Sequence, residues 1–276
     1  MGTSNSNEGP QRGTPLLPSW APSPEPFPPP DDKKDPKKKG PPVAPLTIPR
    51  QTGDWGRARA DLSRYANDGR QGSLRQATRS YVRASGGAGG ARASAIAGRS
   101  TVSRFGSFLS SAVTRGVQRT LHDLGLDAVV GEPLEIVFAA IADKIAPSGA
   151  LNEEAIARKA VLDTMADLLD ELSGSKQAIE QLESLDKKSV EGLITKCVSA
   201  YVFERWLHEL GLVLEKKVIS ETKILKLESS IKSFIESAVK CDFQKFDILH
   251  SDLMSGAGRR LIDRIFEEAY SALESV

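Results

Sequence analysis

The chain opens Met1-Gly2-Thr3-Ser4-Asn5-Ser6, and Gly2 is the first residue there whose chemistry matters. A residue as small as Gly2 favours removal of Met1, which exposes a glycine α-amine. Such an amine has a pKa near ~7.7–8.0, against ~10.4 for lysine, so far more of it is neutral and nucleophilic near neutral pH. Gly2 also has no side chain to obstruct an enzyme pocket, which makes it a candidate acceptor for N-terminal modification. The string fits the M-G-x-x-x-[ST] myristoylation pattern as well, but that pattern tests only two positions beyond Met1. A lone myristoyl chain anchors marginally. Further on, Leu16-Leu17-Pro18-Ser19-Trp20 groups apolar side chains with the anchoring area of a docking peptide. Isolated apolar residues of this kind also arise in any polar tail, and both readings stand.

Arginine is the second chemical signal. Residues 50–119 hold thirteen Arg, no Lys and three Asp, net +10. Guanidinium forks pair bidentately with carboxylates and phosphates. Arg75, Arg79, Arg83 and Arg92 are the candidates for phosphate or acidic-partner contact. Three outlets are open to them: nucleic-acid phosphate, the acidic remainder of this chain, or an acidic partner protein. Residues 120–276 carry 18 basic and 28 acidic residues, net −10, so protein carboxylates are favoured over nucleic acid. The glycines at 86, 87, 89 and 90 complete neither a phosphate loop nor G-x-G-x-x-G.

Other chemistry finds little support. Cys197 and Cys241 read as two free thiols rather than a disulfide framework. The three histidines, 122, 208 and 250, are scattered and give no zinc spacing, so no metal and no cofactor of its own is expected. Glu153-Glu154 and Glu267-Glu268 are neighbours in sequence and point to different helix faces, which makes them poor acid/base pairs. No catalytic residue is therefore nominated. The longest apolar run, Ile136 to Ala142, is too short to span a membrane. No secretory signal pattern opens the chain, and a cytoplasmic location is expected.

The elements that must position these residues divide by composition. Fourteen of the 16 prolines lie before residue 50, so residues 1–49 read as a disordered Pro-rich tether carrying Gly2. Residues 50–119 read as an Arg/Gly-rich basic helical segment. Helices are expected at about 54–67 and 73–84, capped by Asp54 and Ser73, with a turn at Asn67-Asp68-Gly69. Ser85–Gly90 reads as a hinge or loop, and Ala91–Asp123 as one longer helix with Phe105, Leu109, Val113 and Val117 on a stripe. Residues 120–276 read as an acidic multi-helix domain, and the whole as all-α. Its expected apolar stripes include Leu134, Val137, Phe138 and Ile141 after Pro133; Ile156, Leu162, Met165, Leu169 and Leu172; and Leu261, Ile265, Phe266, Ala269 and Leu273. Pro147-Ser148-Gly149 and Gly174 are expected helix ends.

Against this background the chain resembles the QatB family of a bacterial antiphage defence system. The resemblance rests on Met1–Ser6, Gly9-Pro10, Pro15–Trp20, Gly72–Ala77, Tyr81-Val82-Arg83 and Gly89–Arg92, within roughly residues 1–115. The acidic region adds no recognised motif. The resemblance implies three partners: the ATPase QatA, the QueC-like enzyme QatC and the TatD-like DNase QatD. QueC enzymes activate the carboxylate of a 7-deazaguanine with ATP and join it to an amine. The implied function is a non-catalytic substrate and scaffold, modified at Gly2 by the QueC-like enzyme. Thr3, Ser4, Asn5 and Ser6 would lie in that enzyme's groove, with Leu16, Leu17 and Trp20 docking nearby. The ATP and 7-deazaguanine would be used by the partner. The competing reading is a nucleic-acid-binding adaptor that delivers a nuclease through its arginines.

Overall fold

The computed structural model describes residues 54–146, 151–172, 178–217, 220–243 and 246–276. The tail candidates Gly2, Thr3, Ser4, Asn5, Ser6, Leu16, Leu17 and Trp20, and the expected helix ends at 147–149 and 174, lie outside the described residues. Among the described residues every regular element is helical and no strand occurs, so the fold is all-α.

Helix α1 (Trp55–Asp68) packs against α2 (Gln71–Ala84). Asp54 caps α1 as expected, its carboxylate accepting from the Arg57 N–H at 2.9 Å. Gly69 ends α1 at φ 63°, the left-handed conformation that glycine adopts without strain. Ser73 is not the cap of α2. That helix begins at Gln71, and Asp68 organises the turn, accepting from the Arg70 N–H at 2.9 Å and the Ser73 hydroxyl at 2.7 Å. Buried Asp61 then ties the two helices together. It accepts from the Ser80 hydroxyl at 2.6 Å and from Arg64 at 3.0 Å.

The glycine run is helix, not loop. Gly86 and Gly87 turn the chain at φ 90° and 73°, and α3 (Gly87–Ser94) follows at once. A Cβ at position 90 would stand 2.6 Å from the Ser85 carbonyl oxygen, so the glycine permits a close backbone approach. The single helix expected over Ala91–Asp123 is three. α3 ends before Ala95, α4 runs Ile96–Arg115, and α5 runs Val117–Asp123 after a break at Gly116, φ 88°. Glu183 caps α5 from a distance, accepting from the Val117 N–H at 2.6 Å. Phe105 and Leu109 are buried on α4; Val117 is buried across the break.

The remaining helices are α6 (Leu134–Ile145), α7 (Asn152–Leu172), α8 (Ala178–Glu183), α9 (Lys187–Lys217), α10 (Glu221–Ala238) and α11 (Gly256–Ser275). The long α9 packs on α1, α4, α7, α10 and α11 and supplies Ile194, Tyr201 and Trp206, all fully buried. α11 lies against α2, α3 and α4, with its expected stripe buried throughout. Leu62, Tyr81 and Phe105 share one core with Trp206 and Phe266, so basic and acidic stretches fold around the same apolar centre. On α7 the stripe is rotated from the expected one. Leu162 is 38% exposed, whereas Ala157, Ala160, Val161, Thr164 and Leu168 face inward beside Met165 and Leu172. Small side chains let α7 approach α4 and α9 closely, and large-residue periodicity misses them.

Candidate partner-binding surface

Three of the four candidate arginines converge on α11. Arg79 donates from Nε to the Glu274 carbonyl at 3.2 Å and from Nη2 to the Val276 carbonyl. Arg83 lies 3.8 Å from the Glu274 carboxylate. Arg92 reaches Glu267 at 3.4 Å and Asp263 at 3.8 Å, and Arg99 pairs with the same Asp263. Of the three outlets open to the block, these residues take the carboxylates and carbonyls of their own chain. Arg75 is separate. It is exposed, and among the described residues its guanidinium has no hydrogen-bond or ion-pair partner.

A buried arginine was not foreseen. Arg205 of α9 donates to the Ala91 carbonyl at 3.2 Å, the Ser94 hydroxyl at 2.8 Å and Glu209 at 3.1 Å, which ties α9 to the glycine-rich α3. Tyr81, Tyr201 and Tyr270 lie within its electrostatic reach. Burial pushes the Tyr270 phenol up to about 12 and those of Tyr81 and Tyr201 up as well. All three therefore stay protonated at neutral pH, and Arg205 stays charged. The group is fixed in its proton occupancy and holds helices together. Tyr201 completes it by donating to Glu153 at 3.0 Å, and the same carboxylate oxygen accepts from the Ala97 N–H at 2.9 Å. Glu154 accepts from the Leu151 N–H at 3.2 Å. The adjacent pair thus serves helix starts, and Glu153 also bridges α4 and α9 to α7.

His122, His208 and His250 are all exposed, with His122 2.7 Å from Asp127 and His250 3.0 Å from Asp247. Both cysteines are free. Burial pushes the Cys197 thiol up to about 12 and that of Cys241 up to about 11, the opposite of an activated nucleophile. Among the described residues no group of three or more His, Cys, Asp or Glu could hold a metal ion.

The exposed flank of α4 carries a trough. One hollow of about 380 Å³ lies between α4 and α11, lined by Ile96, Arg99, Ser103, Arg104, Met254 and Arg259. A second, about 220 Å³, continues along α4 past Phe108 and Ser111 to Lys144 of α6. Arg104 and Met254 line both. The lining residues are far apart in sequence, and only the packing of α4, α6 and α11 brings them together.

Fold and surface together define an all-α protein with internally neutralised arginines and a cationic trough. A family model described as Qat anti-phage system associated protein QatB matches residues 86–273. That is well over half of the chain, and the chain belongs to the QatB family, whose members are associated with an anti-phage system. No curated protein and no solved structure matches it. The matched region is the helical body from α3 to α11, whereas the sequence resemblance covered roughly residues 1–115. The two overlap from Gly86 to Arg115. Among the described residues no helix is long and apolar enough to cross a membrane.

Proposed function

We propose that this chain is a non-catalytic substrate and scaffold of the Qat anti-phage system, acted on at Gly2 by the system's QueC-like enzyme. The single observation that carries this reading is a Gly2-Thr3-Ser4-Asn5-Ser6 start on a chain of the QatB family. The QueC-like enzyme QatC would use ATP to convert a 7-deazaguanine carboxylate to its acyl-adenylate, releasing pyrophosphate. The neutral Gly2 amine attacks the acyl carbon, the C–O bond to AMP breaks, and the amine loses a proton as the amide forms. Thr3–Ser6 lie in the enzyme groove and Leu16, Leu17 and Trp20 dock beside it. The helical body presents the chain to the other components, QatA and the TatD-like nuclease QatD. Its role would be that of a carrier, since burial raises the Cys197 and Cys241 thiols, the opposite of an activated nucleophile.

The test is the intact mass and N-terminal peptide mass of the chain, expressed alone and with the QueC-like enzyme. A mass added on Gly2 only after co-expression is the expected result. An unmodified Gly2 beside an active, bound enzyme overturns the reading and leaves an unmodified scaffold, or the nucleic-acid adaptor, as the better account.

A further inference from the structure

We propose that the trough along α4 is a second, independent docking site, which receives an acidic amphipathic helix from another protein of the Qat system. Three observations carry it.

The first is apolar exposure. Ile96 is 66% exposed and Met254 37%, and the hollow between them reaches down to Ile262. Large apolar side chains grouped around one concavity mark an interaction site more often than scattered ones do.

The second is charge. Arg99 is neutralised by Asp263 and Arg115 by Asp123. Arg104, Arg259 and Lys144 have no carboxylate partner among the described residues. Among the described residues the Arg104 side chain is held by the Ile145 carbonyl alone, at 3.2 Å, so it keeps both its charge and spare donors at the junction of the two hollows. Arg259 sits near the start of α11, whose first turn has no acidic residue to offset it. A cation is disfavoured at that end of a helix, where an incoming carboxylate is favoured.

The third is shape. The stripe of α4 facing the trough runs Ile96, Ser100, Arg104, Ser107, Ser111 and Arg115, exposed at Ile96, Arg104 and Arg115 and half-buried at the serines, at the three- and four-residue steps of one helix face. Small serines between arginines let a second helix lie close. Ser107 Oγ is shielded from solvent yet has no hydrogen-bond partner. Apolar side chains of the incoming helix would fill the hollows beside Ile96 and Met254, and its carboxylates would pair with Arg104 and Arg259. Nucleic acid also seeks cations, but the apolar walls and the small number of unpaired cations, Arg104, Arg259 and Lys144, favour an amphipathic protein helix.

The test uses the full chain against each of the three other purified Qat proteins, with titrations at fixed salt. The variants are Ile96→Asp and the pair Arg104→Glu/Arg259→Glu. Arg59→Glu/Lys226→Glu serves as a control of equal charge change on exposed residues outside the trough. Thermal unfolding checks that each variant is folded. The expected result is at least a roughly tenfold weaker Kd for one Qat protein in both trough variants, with the control unchanged. In that complex, amide exchange should slow over residues 96–111 and 252–260. Equal binding by all variants, equal loss in the control, or no binding by any of the three proteins overturns the proposal. Salt-dependent DNA binding lost in the trough variants overturns it in favour of a nucleic-acid site. The Gly2 mass is read on the same samples, so the trough and the modification can fail separately.

Discussion

A Cβ placed on Gly98 would stand 2.5 Å from Cε2 and Cζ of Tyr201, so α4 and α9 cross with the tyrosine ring seated on bare backbone. The ring has nowhere to go. It is fully buried, edge-on to Phe266 at 5.4 Å, and held through its hydroxyl by Glu153. Gly98→Ala should therefore destabilise the fold by about 1–2 kcal/mol net, the overpacking cost exceeding the gain in helix propensity. At Gly106 the same change meets only Leu253 Cδ1 at 2.5 Å and Ile194 Cδ1 at 3.0 Å, ends of side chains that can rotate. Urea unfolding should show Gly106→Ala close to neutral and clearly milder than Gly98→Ala.

Asp263 is the shared partner of Arg92 and Arg99, and among the described residues no other carboxylate on α11 serves two arginines. The three side chains are 31%, 23% and 34% exposed, so solvent screens the pairing without removing it. Asp263→Asn should cost about 1 kcal/mol at low salt, and the difference from the parent should shrink in 1 M NaCl. Glu274, whose partner Arg83 is 60% exposed, should tolerate Gln with a much smaller change. A salt-independent loss at Asp263 would mean that packing rather than charge holds α3 and α4 to α11.

The helices that could be read from sequence are those in which large apolar residues mark the buried face. Phe105 and Leu109 on α4, and Leu261 to Leu273 on α11, are of this kind, as is the Asp54 cap, whose signal is local. The expectation failed where small residues form the contact. Gly87–Gly90 reads as loop because glycine favours no single conformation, yet in the fold it is the one residue type that lets α3 begin against the Ser85 carbonyl. On α7 the inward face contains Ala157 and Ala160, which a hydropathy stripe passes over in favour of Leu162. The trough was not legible at all. Ile96 and Arg104 belong to one stretch, Met254 and Arg259 to another and Lys144 to a third, and no local pattern connects them. The destination of Arg79, Arg83 and Arg92 stayed open for the same reason: composition gives the charges but not which carboxylate a guanidinium meets.

The raised thiols and phenols set an alkaline limit on stability. Cys197, Cys241 and Tyr270 have folded-state values of about 12, about 11 and about 12. In the unfolded chain they would titrate near ~8.5 and ~10. Above those values the unfolded state binds fewer protons than the folded one, so stability falls as pH rises. The contribution is intact below about pH 8.5 and is lost progressively toward pH 11–12. Urea midpoints should thus be flat in pH through the neutral range on account of these groups and decline above about pH 9. A thiol reagent at pH 7.5 should label half-buried Cys241 slowly and Cys197 only as the protein unfolds. Rapid labelling of Cys197 in the folded state would refute this assignment.

Arg205 and Glu209 should behave as a unit rather than as two independent residues. Arg205 is 9% exposed, and one carboxylate oxygen of Glu209 is shielded from water without a hydrogen-bond partner. Arg205→Met leaves that carboxylate beside the buried phenols of Tyr81 and Tyr270 with no cation, and also frees the Ala91 carbonyl and the Ser94 hydroxyl. The expected cost is about 3–5 kcal/mol. Adding Glu209→Leu removes the stranded charge and should recover part of the loss, so the double variant is less damaged than the sum of the single ones. The readout specific to this pair is local. Arg205 is the bond from α9 to α3, so amide exchange in Gly87–Ser94 should accelerate in Arg205→Met more than in a Glu209→Gln variant of the same global stability. Additive losses, with α3 exchanging no faster than the rest of the body, would show that the buried charge merely fills space and that α3 is held by α11 and α2.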